Sequence, residues 1–118
     1  MRIIAGEWRG RRLEVPKGIR PMLDRERERM FAMLGDLEGA VLLDLFSGTG
    51  AATLEALSRG AARSIVVENG RRVLPVLRRN LEKMGAGERA SLLNLSALSL
   101  PRTQHPEQHS IDIAVCTP

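Results

Sequence analysis

The chain has 118 residues and a formal net charge of +4, with 43% hydrophobic and 27% charged residues. This length allows one domain, and the composition is ordinary for a soluble globular protein. No apolar run approaches the roughly 20 residues of a membrane-spanning helix. Arginines interrupt the N-terminus, which excludes a signal-peptide core, and Cys116 is a lone cysteine. We therefore expect a cytoplasmic location.

The positive charge is concentrated at the start of the chain. Residues 1–30 hold nine Lys/Arg and five Asp/Glu, whereas residues 31–118 hold nine of each. Such an asymmetry suggests a polyanionic partner for the first segment, with a solvated arginine-rich surface as the plainer interpretation.

The first elements in chain order form a basic arm. Residues 2–6 and 12–15 flank a Gly- and Arg-rich stretch, which predicts a β-hairpin with a basic tip. After a loop with Pro16 and Pro21, the pattern predicts a helix over 24–34, capped by Asp24 and stopped by Gly35. Its first turns are charged throughout, so we expect only its C-terminal half to dock.

From residue 41 onwards, strands and helices alternate. Strands are predicted over 41–45, 64–68, 91–95 and 111–115, and helices over 51–59 and within 71–84. Pro75 predicts a kink or a late start of the second of these helices. Alternation of this kind implies βαβ units and a parallel sheet.

A glycine loop, Gly48-Thr49-Gly50, joins the first of these strands to its helix. A bare backbone lets a ligand approach closely, although a tight turn without a ligand would use the same residues. Asp44 precedes the loop, and Glu68 follows Gly48 by 20 positions. That spacing is typical of a carboxylate that reaches the ribose of a ligand lying over the first strand.

The residues around the loop indicate which ligand it binds. A dinucleotide fingerprint places Gly or Ala where this chain has Thr53, so a generic nucleotide domain is disfavoured. The carboxylate of Asp44 suits an amino-acid ammonium better than a phosphate. S-adenosylmethionine, which carries a methionine ammonium and a ribose but no phosphate, fits this pattern.

At this point the sequence resembles a known family. Residues 1–6, 9–11, 15–16, 20–21 and 24–25 are similar to the RsmD-type small-subunit ribosomal RNA guanine-N2 methyltransferases, and so are Phe31, Leu34, 44–50, 54–61 and 67–69. The resemblance implies an α/β fold, namely a Rossmann-like class I methyltransferase fold with a parallel sheet that is incomplete here, preceded by an N-terminal β-hairpin. It divides the chain into an RNA-binding arm, 1–38, and a partial cofactor-binding domain, 39–118.

The resemblance also implies roles for particular residues. Asp44, Gly48 and Gly50 would cradle the methionine part of the cofactor, and Glu68 would hold its ribose. The full expected cofactor set is Asp44, Phe46, Ser47, Gly48, Gly50, Glu68, Asn69 and Ser96. The arginines expected to hold phosphates of ribosomal RNA or the small ribosomal subunit are Arg9, Arg11, Arg12, Arg20, Arg25 and Arg27.

Two departures from the family pattern bear on activity. Ser96 stands where the family has an acidic residue near the adenine. The family's catalytic Asp/Asn-Pro-Pro-Tyr/Phe is reduced here to Thr117-Pro118, and Thr offers no carboxylate. We therefore expect weak or absent turnover by this chain alone, and a non-catalytic RNA-binding or remnant module is the alternative.

The last predicted strand also bears on the chain's partners. The family continues for three more strands, so Ile111, Ile113 and Val115 would lie on an open apolar edge. Such an edge favours self-association or a covering partner, and it lowers the stability of a monomer.

Two further features of the sequence are an aromatic residue in the basic arm and the residue types of a metal site. Trp8 among arginines would either stack on an RNA base or pack against the sheet. His105, His109 and Cys116 contain the residue types of a metal site, but Pro106 breaks any helical spacing between the histidines, so no metal is expected.

Overall fold

The computed structural model describes residues 1–95 and 111–116. Its elements in chain order are α1 (Asp24–Leu34), β1 (Val41–Leu45), α2 (Ala51–Ser58), β2 (Arg63–Val67), α3 (Leu74–Lys83), β3 (Ala90–Leu93) and β4 (Ile113–Cys116). The four strands form one parallel sheet in the order β3-β2-β1-β4. The predicted parallel α/β sheet is therefore confirmed, with strand ends that shift by no more than two residues.

The inner strand β2 is apolar because it is covered on both faces. Four of the five residues of β2 are buried, the pattern of a strand in the middle of a parallel sheet. Every residue of α2 is buried as well. A helix that is buried all round needs cover on two sides, and here the sheet and the N-terminal arm provide it.

The N-terminal arm departs from the predicted hairpin. Its two halves are joined by a single antiparallel bridge, Arg2 with Arg12, and by backbone hydrogen bonds such as Ile3 N to Arg11 O at 2.9 Å. Neither residues 2–6 nor 12–15 form a strand of the sheet. The physical reason is that the amides of Ile4, Ala5 and Glu7 donate to α2 instead of to a partner strand.

The docking of α1 also corrects the expectation. Its N-terminal half is anchored by Arg27, whose side chain is fully buried, together with Phe31 in the second half. Asp24 is the first helical residue and not the cap, because Leu23 occupies that position without a side-chain hydrogen bond. The carboxylate of Asp24 instead accepts from Arg27 Nη2 at 3.0 Å.

The position at which α3 starts explains how the helix accommodates Pro75. The helix begins at Leu74, which places Pro75 in the first turn. Backbone amides there have no helical acceptor, so no hydrogen bond is lost. The predicted late start is confirmed.

One hydrophobic core joins the arm to the sheet. Its buried members include Ile3, Trp8 and Leu13 from the arm as well as Leu42 and Leu54 from β1 and α2. Trp8 is 7% exposed, and the Arg89 guanidinium lies 5.4 Å from its ring centroid. The packing interpretation of Trp8 is therefore the correct one.

The sheet ends at β4 on one side. Val115 is buried and Ile113 half-buried, and within the described residues β1 is the strand that pairs with β4. In the part of the chain that the structure describes, no helix has the length and apolarity needed to cross a bilayer.

Candidate functional site

A cavity of about 670 Å³ opens at the C-terminal ends of β1, β2 and β4. In the order β3-β2-β1-β4, β2 and β3 are added on one side of β1 and β4 on the other, so the strand order switches between β1 and β4. Ligands of open α/β sheets bind at such a reversal point. The residues that line the cavity are Ile19, Arg20, Pro21, Met22, Glu26, Phe46, Ser47, Gly48, Thr49, Ala51, Ala52, Glu68, Val73 and Cys116.

The glycine loop forms the wall between β1 and α2. Phe46 has a positive φ of 57°, which is rare for a residue with a side chain, and its ring is 39% exposed. Gly50, at φ 84°, is the N-terminal cap of α2, and a Cβ there would lie 2.7 Å from Leu77 Cδ1. Around Gly48 the space is open, so its backbone can meet a ligand.

Asp44 lies beneath this loop and not on the cavity wall. Its side chain is fully buried, and its Oδ2 accepts from Ser47 Oγ at 2.9 Å and from Thr53 Oγ1 at 2.7 Å. Oδ1 is buried and accepts no hydrogen bond from the described residues. The structure thus brings Asp44 and Ser47 together. It also shows why Thr53 stands at the third position of the glycine motif: its hydroxyl donates to the Asp44 carboxylate.

The burial of Asp44 changes its acidity. Desolvation raises its pKa from 3.8 to about 6, against the lowering effect of the hydrogen bonds from Thr53 and Ser47, and the charge of Glu68 adds to the rise. A cation beside Oδ1 would favour the ionised form. Asp44 is thus a buried carboxylate with one unsatisfied oxygen, bonded to Ser47, which lines the cavity.

Glu68 ties the two loops of the site together. Its Oε1 accepts from Gly48 N at 2.8 Å, and its Oε2 accepts from Gly70 N at 3.0 Å and from Asn69 N at 3.2 Å. A carboxylate has about four acceptor positions, so one remains on Oε1 for a hydroxyl. Asn69 is exposed beside it.

Asn80 is a buried residue of the site that sequence reasoning missed. From α3, its Nδ2 donates to Thr49 O at 2.8 Å and to Glu14 O at 3.0 Å, while its Oδ1 accepts from Glu14 N at 2.9 Å. One side chain thereby fixes both the glycine loop and the arm. The signal available in the sequence was a lone amide on the otherwise apolar inner face of α3.

The arm contributes more to the cavity than expected. Residues 19–22 and Glu26 line it, opposite the glycine loop. Arg20 was predicted as a phosphate ligand, and its largely exposed side chain lies 3.7 Å from Glu26. The arm therefore belongs to the walls of this site.

The predicted RNA-binding arginines divide into two groups. Arg27 is wrong as a phosphate ligand, because its fully buried guanidinium contacts Asp24, Glu55 and the carbonyl of Arg2. A phosphate could reach it only if the arm came away from α2. The remaining predicted arginines are exposed, namely Arg9, Arg11, Arg12, Arg20 and Arg25.

Glu55 of α2 is the anchor of the arm. Its buried carboxylate accepts from Ile4 N at 2.8 Å and Ala5 N at 3.0 Å, and it pairs with Arg27 at 3.4 Å and Arg59 at 2.9 Å. Buried carboxylates need such partners. The helix that follows the glycine loop is thus also the helix that holds the arm.

Some predicted positions lie outside the described residues. These are Ser96, Thr117, Pro118, His105 and His109. Within the described ranges, no group of three or more His, Cys, Asp or Glu side chains could hold a metal ion.

The strand order, the glycine loop and the carboxylate after β2 define a Rossmann-like α/β fold with a candidate ligand site at its switch point. The sequence profile of the family described as Conserved hypothetical protein 95 matches residues 1–118, and the chain belongs to this family.

Similar proteins agree with this assignment. The chain is 46% identical over 102 residues to Ribosomal RNA small subunit methyltransferase D of Escherichia coli (strain K12), covering 84% of this chain and 51% of the relative. The protein of the same name from Haemophilus influenzae is 36% identical over 113 residues, which cover 92% of this chain and 58% of the relative. The solved structure of the Escherichia coli protein yhhF superposes with a TM-score of 0.76 at 47% identity, over 84% of this chain and 55% of that one.

These matches confirm the resemblance and the fold that the sequence indicated. The chain spans about half the length of the curated relatives it matches.

Proposed function

We propose that this chain carries the cofactor half of an S-adenosylmethionine-dependent methyltransferase that acts on guanine N2 of small-subunit ribosomal RNA. The observation that carries the proposal is the cavity at the ends of β1, β2 and β4, bounded by Gly48 and by the carboxylate of Glu68. The names of the Escherichia coli and Haemophilus influenzae relatives support the reaction and the substrate.

The residues present fit this cofactor. Asp44 is fully buried beneath the glycine loop, and in this proposal its charge favours the methionine ammonium from below the cavity wall without contacting it. Gly48 presents bare backbone, and Glu68 Oε1 keeps one acceptor position for a ribose hydroxyl. When bound, the cofactor would supply an electrophilic methyl group.

The chain's own contribution would be to hold and orient. Fixing two reactants in line is worth several kcal/mol of the barrier to methyl transfer. The glycine loop is rigid because Asp44, Glu68 and Asn80 each hold it by hydrogen bonds. In this proposal, Thr117-Pro118 would face the guanine amine, and Ser96 would lie near the adenine.

In this proposal, residues 1–38 bind RNA and residues 39–118 bind the cofactor. The exposed arginines of the first part that would hold phosphates of ribosomal RNA are Arg9, Arg11, Arg12, Arg20 and Arg25, and the second part would hold the cofactor. The outer edge of β4, which no other strand of the described residues covers, would be the side on which the chain associates with a second copy. Sedimentation velocity over a range of chain concentrations tests that association.

Calorimetric titration of the 118-residue chain with S-adenosylmethionine tests the cofactor site. Glu68→Ala removes the ribose acceptor and frees the amides of Gly48 and Gly70, so we expect binding to weaken by about 1–3 kcal/mol. Glu88→Ala is the matched control, because Glu88 is an exposed carboxylate that does not line the cavity.

Equal affinities of wild type and Glu68→Ala would remove Glu68 from the site, and no binding by a folded wild-type chain would reject the cofactor. Methyl incorporation into small ribosomal subunits then separates the enzyme from a module that binds without turnover.

A further inference from the structure

Helix α3 and the turn before it present a strongly basic outer surface. Their exposed cationic side chains are Arg71, Arg72, Arg78, Arg79 and Lys83, and Glu82 is the exposed carboxylate among residues 71–84. The inner face of the same helix is buried through Leu74, Leu77 and Leu81. The cations therefore all point away from the core, although the sequence beyond residue 30 carries no net charge.

The arm extends this surface beyond the C-terminal end of α3. Arg11 Nη2 donates to Lys83 O at 2.9 Å, and Lys83 Nζ donates to Arg12 O at 2.7 Å. Together, the seven side chains Arg11, Arg12, Arg71, Arg72, Arg78, Arg79 and Lys83 form what we call the basic track. Glu14, which pairs with Arg79 at 2.8 Å, offsets part of its charge.

The track has a direction, and it begins at the cavity. Val73, which follows Arg72, lines the cavity, and Gly70 N donates to Glu68. The ten residues of α3 then carry the track about 15 Å away, at 1.5 Å per residue. Arg79 and Lys83 are four residues apart, which places them on one side of α3, and Arg72 lies in the turn just before the helix.

The chemistry of the track selects among polyanions. A membrane surface would need apolar side chains beside the cations, but the large hydrophobic residues exposed in the described part of the chain are Ile19, Leu23, Met33 and Phe46, none of them on α3. A line of arginines suits a linear chain of phosphates. The end of the track at Arg72 lies beside the cavity, where a base of the same strand could enter.

We propose that the basic track holds the backbone phosphates of the RNA strand that presents its target base to the cavity. This inference rests on the proposed function and adds the path of the RNA, which runs along α3 and not over the arm alone.

Fluorescence anisotropy with a labelled, guanine-containing single-stranded RNA at several salt concentrations tests the track. Arg72→Gln/Arg78→Gln removes two of its charges. The slope of log K against log salt should become shallower by roughly 1.4, at about 0.7 for each lost phosphate contact on a single strand. Lys17→Gln/Arg29→Gln removes two exposed charges outside the track and should keep the wild-type slope.

Three outcomes would contradict the proposed track. They are an equal change of slope in both double variants, an unchanged slope in Arg72→Gln/Arg78→Gln, and failure of the wild-type chain to bind RNA at low salt. Titration of the same proteins with S-adenosylmethionine distinguishes failure of the track from failure of the proposed function. The track variant should bind the cofactor as the wild type does, whereas a wild type that binds RNA but no cofactor would reject the proposed function and leave the track intact.

Discussion

At the scale of single residues, Gly6 is where the arm meets α2 most closely. A Cβ at this position would lie 1.9 Å from Ser58 O, and the backbone has a φ of +89°. Gly6→Ala should lower the free energy of unfolding by about 3 kcal/mol or more, from the clash and the left-handed backbone together. Urea denaturation of wild type and variant measures this loss.

Gly10→Ala is the matched control for that substitution. Gly10 has a similar φ of +83°, but nothing lies within 4 Å of its added Cβ. Gly10→Ala should therefore lower the free energy of unfolding only by the cost of the left-handed backbone, about 1–2 kcal/mol. Equal losses in the two variants would show that the contact with Ser58 does not constrain the arm.

The raised pKa of Asp44 gives a second prediction at this scale. Between pH 3.8, its ordinary pKa, and about 6, the folded chain binds more protons at Asp44 than the unfolded chain. The contribution of Asp44 to the free energy of unfolding therefore falls as the pH rises through this window, by about 3 kcal/mol in all. It then stays constant at higher pH.

Asp44→Asn removes this titration and serves as the reference. We expect the stability difference, wild type minus variant, to decline between about pH 4 and 7 in urea denaturation. A difference that does not vary with pH would show that Asp44 titrates normally. Affinity for S-adenosylmethionine should rise over the same window in the wild type, because an ammonium favours the ionised carboxylate.

The residues show where sequence reasoning succeeds. The sequence pointed to Gly48 and Glu68, which line the cavity, because a strand-to-helix loop and a spacing of 20 positions are local signals. The environment of Arg27 could not be found in this way, since it depends on Glu55, which lies on another helix. In the sequence alone, Arg27 is one of three alternating arginines in a charged run, and only the fold distinguishes it from Arg25 and Arg29.

At the scale of elements, Asn80 joins α3, the glycine loop and the arm. Asn80→Asp would place a carboxylate against the carbonyls of Thr49 and Glu14, where an N–H group now donates. In a site only 1% exposed, this change should cost about 2–4 kcal/mol of stability near neutral pH, and cofactor binding should weaken because the loop loses its support.

Asn69→Asp makes the same chemical change at an exposed position and should alter the stability by less than about 0.5 kcal/mol. Thermal and urea unfolding of both variants provide the comparison. A small loss in Asn80→Asp, similar to that in Asn69→Asp, would mean that the three hydrogen bonds of Asn80 do not hold the loop in place.

The elements also differ in how far their sequences determine them. The strands and the late start of α3 follow from apolar periodicity and from Pro75, which act locally. The arm does not form the predicted strands because its amides find better-placed acceptors in Glu55 and Ser58, 50 or more residues away. Local patterns hold no information about such acceptors.

At the scale of the whole molecule, one core serves both the arm and the sheet, and charge is redistributed over the surface. The count along the sequence placed all net charge in the first quarter. In the folded chain, Arg11 and Arg12 lie beside Lys83, so the basic surface combines segments that are about 70 residues apart. The path proposed for RNA therefore exists only in the folded state.

The anchoring of the arm by Glu55 has a consequence for synthesis of the chain. The arm leaves the ribosome before α2 and α3, and Ile4 and Glu55 are separated by 51 residues and Glu14 and Asn80 by 66. At about 5–20 residues per second, the arm waits roughly 3–10 seconds for its acceptors on α2 and longer for those on α3. The arm is therefore ordered only after α2 and α3 have been made, and until then its arginines and Trp8 remain accessible to other molecules in the cell.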